Sequence, residues 1–216
     1  MKIHYYSGWF GEALPKKMAE LLRHDITNRK SIAIIWGWYI DEPFNIVKDV
    51  LLDPIGIVFD EYYFIDSQTP KEKAHETLRN ASVILLMGGY TTIQNTFLME
   101  YELALPIKES SADVIVGFSA GAKNMATKCV CVKSNGYLTE KNGIYIGIGL
   151  DNFGYEPYFS LDNDELIRDE LLPMSQKLDI YATSTGSFIR VKGSNVMSFG
   201  DTYLISCSKI QKVESR

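Results

Sequence analysis

Between Asp113 and Ala122 the chain reads Asp-Val-Ile-Val-Gly-Phe-Ser-Ala-Gly-Ala, and few stretches of this length restrict a fold so tightly. An apolar, β-branched run enters a Gly-x-Ser-x-Gly turn, which opens onto a helix-forming segment from Ala120 to Thr127. Strand, sharp turn and helix in that order predict a nucleophile elbow. The serine of such an elbow sits in a strained turn, its hydroxyl lifted clear of the sheet and a helix N-terminus behind it. Small residues are needed on both sides, and Gly117 and Gly121 supply them. A plain strand-to-helix turn would satisfy the five-residue pattern alone; the apolar strand before it and the helix after it favour Ser119 as a nucleophile.

An elbow needs a sheet to stand on, and the preceding residues supply the pattern of one. Ile3 to Tyr6 read as a first strand ending at Ser7-Gly8, and Ala13 to Asn28 carry Leu14, Met18, Leu21 and Leu22 at helical spacing. Ser31 to Trp36 is an apolar run stopped by Gly37, followed by a helix over Pro43 to Leu52 and a β-branched, aromatic strand within Ile55 to Ile65. Pro70 to Asn80 reads as a helix, and Val83 to Met87 as a buried strand ending at Gly88-Gly89. The alternation predicts an α/β fold: a mostly parallel sheet between helical layers, joined by right-handed crossovers. Thr91 to Leu105 continues as a helix that Pro106 interrupts or bends.

Beyond the elbow the pattern changes. Cys129 to Val132, Gly136 to Leu138 and Ile144 to Leu150 read as shorter strands separated by Asn135-Gly136 and Asn142-Gly143. A helix is expected from Asp162 to Met174. Antiparallel strands then follow at Asp179 to Thr183, Ser187 to Val191, Val196 to Phe199 and Tyr203 to Ser206, joined by turns at Thr185-Gly186, Gly193 to Asn195 and Gly200-Asp201. With 216 residues, no linker and no repeat, the expected organisation is one domain over 1–216.

Composition narrows the partners. A net charge of −5 without any cluster of lysine and arginine argues against nucleic acid or an anionic membrane. The cysteines, Cys129, Cys131 and Cys207, form an odd set without zinc spacing, so reduced, buried thiols and no metal or other cofactor are expected. No apolar run approaches the roughly 18 residues that span a bilayer, which leads to the expectation of a soluble, cytoplasmic protein, monomeric or homodimeric.

In an open parallel sheet, ligands collect beyond the carboxyl ends of the strands. Gly8, Gly37, Gly88-Gly89 and Ser119 all fall there and are expected to line one rim. A backbone N–H in the turn Gly88-Gly89-Tyr90-Thr91, together with that of Ala120, would make the two-donor oxyanion hole of acyl transfer. A serine also needs a base. The three histidines are His4, within the first strand, and His24 and His75, on helices away from the rim.

Taken together, Gly88-Gly89, the segment Gly-Phe-Ser-Ala-Gly-Ala at 117 to 122, the Ile-Gly-Leu strand at 148 to 150 and the terminal hairpins resemble the serine peptidase family of dipeptidase E and cyanophycinase across essentially the whole chain. The resemblance implies a class I glutamine amidotransferase-like (flavodoxin-like) three-layer α/β/α sandwich with C-terminal antiparallel hairpins. It further implies a Ser-His-Asp/Glu triad cleaving small, acidic peptide substrates. Ser119 corresponds to the nucleophile, Gly89 and Ala120 to the oxyanion donors, and Tyr90 and Thr91 to substrate-binding positions. The family's Gly-Gly-Asn-Thr-Phe stands here as Gly88-Gly89-Tyr90-Thr91-Thr92, and its histidine as Tyr158 in Glu156-Pro157-Tyr158-Phe159. Its acidic partner falls at Ser134 and Asn135.

Three readings follow: an inactive relative that binds a small ligand, a hydrolase with another base, or a scaffold. Candidates for the base are Tyr158, Lys123 one helical turn after Ser119, and the carboxylates of Glu140, Asp151 and Glu156. A solvated or helix-packing role is the plainer expectation for Lys123. The aromatic residues Phe153, Tyr155, Tyr158 and Phe159, read as a loop, would cover the cleft or simply pack.

Overall fold

The computed structural model describes residues 1–8, 13–41, 43–133 and 142–216. Five strands alternate with helices up to the elbow: β1 (Ile3–Ser7), α1 (Lys16–Asp25), β2 (Ser31–Ile35), α2 (43–52), β3 (Glu61–Ile65), α3 (Lys71–Asn80), β4 (Val83–Leu86), α4 (Thr91–Glu100), α5 (Ala104–Lys108) and β5 (Val114–Phe118). After it come α6 (Ala120–Met125), β6 (Lys128–Cys131), β7 (Gly143–Ile146), β8 (Gly154–Pro157) and α7 (166–174). The chain closes with β9 (Ile180–Thr183), β10 (Phe188–Lys192), β11 (Asn195–Phe199), β12 (Thr202–Ser206) and β13 (Lys209–Val213).

The first five strands pair in parallel in a seven-stranded sheet of order β11-β10-β1-β5-β4-β2-β3, with β10 and β11 added antiparallel beside β1. Every residue of β2, β4 and β5 is buried, as their uninterrupted apolar runs require for strands covered on both faces. Alternate side chains feed separate cores. Ile32, Ile34, Val116 and Phe118 pack with Met18 and Leu22 of α1 and Leu51 of α2. Ala33, Ile35, Ile84, Leu86 and Ile115 pack with Ala74, Leu98, Ile107 and Met125 of α3 to α6. The sheet is therefore flanked by helices on both faces, in line with the expected α/β class. No helix among the described residues is long and apolar enough to cross a membrane.

The structure departs from the expected elements in four places. The helix after β4 ends at Glu100, before Pro106: Glu102 adopts φ 53°, and Pro106 lies in the first turn of α5, where a missing N–H costs nothing. The stretch carrying Phe153 and Tyr155 is not a loop but leads into β8, which is entirely buried and parallel to β9 in a second sheet of order β13-β12-β9-β8. Thr185-Gly186 and Gly200-Asp201 consequently join strands of different sheets, and of the expected tail turns only Gly193 to Asn195 closes a hairpin. A further strand, β13, follows a two-residue turn in which Cys207 and Ser208 both have positive φ, the conformation that matches the twist of a hairpin. The exposed Cys207 also corrects the expectation of three buried thiols; Cys129 and Cys131 are buried, and all three are free. The strand expected at Gly136 to Leu138 lies outside the described residues.

A buried charged network ties α1 to the sheet. Asp25 accepts from Arg190 Nε of β10 at 2.7 Å and from the Tyr5 hydroxyl of β1, while Arg190 Nε also approaches the Tyr5 oxygen at 3.2 Å. Burial alone raises the Asp25 pKa, but hydrogen bonds from Arg190, Tyr5 and His24 outweigh it and hold the carboxyl below its usual value. With a folded pKa below the unfolded one, near 3.9, the stabilisation is full above that value and is lost as the pH falls through the lower folded value. Asp25→Asn is therefore expected to be less stable than wild type at neutral pH, and the gap in urea midpoints should shrink as the pH drops below about 4. A gap that stays constant down to acid would show that the Asp25 charge contributes nothing.

Candidate active site

The expected strand-to-helix turn forms between β5 and α6, and its backbone is strained. Ser119 adopts φ 51° and ψ −111°, a region that costs a residue with a Cβ on the order of 1–3 kcal/mol. Two hydrogen bonds and two close approaches at the flanking glycines hold it there. The Ser119 N–H donates to the Ser7 carbonyl at 2.7 Å, and its own carbonyl accepts from Lys123 N–H at 3.0 Å. A methyl group placed on Gly121 would fall 2.2 Å from the Leu86 carbonyl oxygen, and one on Gly117 would fall 2.4 Å from Met125 Sδ. Only glycines let α6 lie this close to β4 and β5.

The expected rim assembles around the serine. Parallel register aligns Ser7 with Phe118 and Leu86 with Gly117, so the residues that follow each strand meet at one edge. The position of a Cβ on Gly88 lies 3.2 Å from Ser119 Cβ and 3.9 Å from its Oγ. Gly89 adopts φ 134°, available to glycine. Neither its amide nor that of Ala120 donates to a backbone carbonyl in the turns and loops of the described residues. Continuing the register by one residue brings Gly8 beside Ser119. The Tyr158 ring packs over Gly8, 2.5 Å from where its Cβ would be, with Tyr158 held at φ 62°. Tyr158 thus reaches the rim.

The other base candidates are engaged elsewhere. Lys123 is buried on α6 and pairs with Glu156 of β8, Nζ to Oε2 at 2.7 Å. Burial pulls the Lys123 pKa down, but the Glu156 carboxylate more than offsets it and leaves the amine above its usual value. An amine so held keeps its proton at neutral pH and does not serve as a base. The solvated alternative for Lys123 is corrected: the helix buries it against an ion partner. Asp151 accepts from His4 Nδ1 at 2.7 Å and the Tyr6 hydroxyl at 2.5 Å, on residues that precede the carboxyl end of β1. His24 is exposed beside Asp25, and His75 Nε2 lies 2.7 Å from the Tyr101 carbonyl. Glu140, Ser134 and Asn135 lie outside the described residues. Of the four aromatic residues considered as a cover, Phe153 packs on Tyr6 and Tyr181, Tyr155 is buried, and Phe159 packs on Tyr203, so three belong to the cores.

Two features of the site escape sequence reasoning. The first is a buried amide network that locks the Gly88-Gly89 turn to α6. Asn124 of α6 donates to the Thr91 carbonyl and to Gln94 Oε1, Asn95 donates to Asn124 Oδ1, and Gln94 donates to the Met87 carbonyl just before Gly88. Thr91 is buried, and its described bond runs through its carbonyl. The available signal was polar residues at positions of α4 and α6 that face other helices, Gln94 and Asn124 both being fully buried. The second is Trp38, whose indole occupies the space a side chain on Gly89 would take, 1.8 Å from that Cβ position, and meets the Tyr90 ring edge-on at 5.4 Å.

No protein-family model and no curated protein sequence matches this chain. Solved structures do. One is a protein from Listeria monocytogenes EGD-e provisionally described as peptidase E, similar with a TM-score of 0.65 and 17% identity over 92% of this chain and 98% of that one. Another is a peptidase from an acI-B1 Actinobacterium, with a TM-score of 0.68 and 16% identity over 100% of this chain and 95% of that one. The resemblance to the dipeptidase E family thus holds for the fold over essentially the entire chain, at an identity that carries the fold alone.

Proposed function

We propose that this chain is a serine-type hydrolase acting on small peptide substrates, built on the class I glutamine amidotransferase-like sandwich with C-terminal hairpins that the dipeptidase E resemblance implies. The observation that carries the reading is the strained Ser119 backbone, because strain of this kind persists only where the surrounding structure imposes it, and it clusters at reactive sites. Ser119 Oγ attacks the scissile carbonyl carbon as its proton leaves. The carbonyl π electrons move onto oxygen, to which the Gly89 and Ala120 N–H groups donate. Collapse expels the amine, which takes up the proton, and water releases the acyl group by the same steps. Tyr158, in the place of the family's histidine, is the group that takes the serine proton. A phenol accepts a proton only as phenolate, so reaction through Tyr158 accelerates as the pH rises.

A fluorophosphonate probe is expected to label wild type and not Ser119→Ala, faster at higher pH, with the pH dependence lost in Tyr158→Phe. Equal labelling of wild type and Ser119→Ala would remove the hydrolase reading; an unchanged pH profile in Tyr158→Phe would remove the tyrosine base. A ligand-binding protein without turnover is the second reading, favoured because His4, His24 and His75 all lie off the rim. It requires an unlabelled wild type that is nonetheless stabilised thermally by a dipeptide.

A further inference from the structure

The aromatic side chains beside the oxyanion turn carry an inference about substrate, which rests on the hydrolase reading of Ser119. The Trp38 indole fills the space of a side chain on Gly89, a Cβ on Gly88 would lie 3.2 Å from Ser119 Cβ, and Tyr90 closes on Trp38 edge-on at 5.4 Å with 40% of its surface exposed. The wall they form adjoins the Gly88-Gly89 turn that approaches the nucleophile. Trp38 lies in the loop three residues beyond β2, which ends at Ile35, and Tyr90 immediately precedes α4. A partly exposed aromatic pair presents a flat apolar face with edge and face positions for a third ring. Its only donors are the neutral indole N–H of Trp38 and hydroxyl of Tyr90, and it contains no cation, so it compensates the desolvation of a carboxylate only in part.

We propose that Trp38 and Tyr90 form the specificity wall of the site and that it accepts an aromatic or large apolar side chain on the residue that donates the scissile carbonyl, in preference to an aspartate. The acyl residue lies with its carbonyl oxygen at the Gly89 and Ala120 amides and its side chain against the Trp38 and Tyr90 rings. Gly89 is part of the same device, since any side chain there would displace the indole.

Peptidyl boronates test this without requiring turnover. Ser119 Oγ forms a bond to trigonal boron, its proton passing to solvent or Tyr158, and the adduct mimics the tetrahedral intermediate. Affinities of the phenylalanine, alanine and aspartate boronates are measured by calorimetry on the full chain. The phenylalanine analogue is expected to bind at least about tenfold more tightly than the aspartate analogue, and the ratio of phenylalanine to alanine affinities should fall about tenfold in Trp38→Ala. Tyr90→Ala, at an exposed position, gives the same reading if Trp38→Ala fails to fold. Equal affinities, a preference for aspartate, or a ratio unchanged in both variants overturns the wall. Fluorophosphonate labelling of Ser119 separates the two ideas. Labelling with no boronate preference sinks the specificity alone, whereas no labelling and no boronate binding sinks the hydrolase reading with it.

Discussion

Replacing Lys123 by methionine is expected to lower the free energy of unfolding by about 3–5 kcal/mol, because it leaves the carboxylate of Glu156 buried without its cation. Methionine keeps most of the apolar stem, so the loss reports charge rather than a cavity. For a chain of this size the melting temperature should fall by roughly 6–20 °C. The double variant Lys123→Met with Glu156→Gln is expected to recover most of the loss, since a buried pair replaced by uncharged groups of similar volume is often neutral. Urea midpoints at constant slope give the measurement. If the single variant is as stable as wild type, Glu156 takes up a proton at no cost and the pair is not what holds α6 on β8. A second readout comes from β6. Lys123 helps to lower the Cys131 pKa, behind the hydrogen bond from Cys129 and against the effect of burial, so the Cys131 thiol should titrate higher in the variant.

Gly121→Ala is the second large effect, and here two physical rules give opposite signs. Gly121 lies inside α6 with an ordinary helical φ, where alanine is favoured over glycine by about 1 kcal/mol. The added methyl, however, would sit 2.2 Å from the Leu86 carbonyl oxygen and 2.5 Å from its carbon. Those atoms belong to the central sheet and cannot swing aside as a flexible side chain would. Overpacking against backbone should win, destabilising by at least about 2 kcal/mol and moving the elbow enough to slow fluorophosphonate labelling of Ser119. Gly186→Ala provides the control. That residue has φ 77° with nothing within 4 Å of a Cβ, so only the backbone term applies and labelling should be unaffected. A stabilised Gly121→Ala would mean that α6 rides away from β4 freely, and that the tight seat of the elbow is not required.

The central elements were legible for a simple reason. Strands buried on both faces need unbroken apolar runs, and Ser31 to Ile35, Val83 to Leu86 and Val114 to Phe118 are such runs, each ended by a residue that turns the chain toward a helix. β8 was illegible because it is the strand Gly-Tyr-Glu-Pro, with a charge and a proline, and it is a strand only because β9 pairs with it and Lys123 neutralises it. The tail hairpins were mispaired for a related reason: turn residues mark where a chain reverses, not which sheet receives it. Lys123 read as solvated or helix-packing, and its ion partner was illegible because nothing near it in sequence hints at Glu156, 33 residues on.

By itself, then, the sequence determined the alternation of strands and helices, the serine at the strand-to-helix turn and the glycines that make the turn possible. These are written in neighbouring residues through periodicity and backbone freedom. Tertiary structure alone decided that Lys123 is spent on Glu156, that Asp151 is held by His4 and Tyr6, that Asn124 ties α6 to the start of α4 and that Trp38 lies on Gly89. Each of these joins residues brought together only when the sheet closes, and the charge or ring at one end has no local signature of its partner at the other.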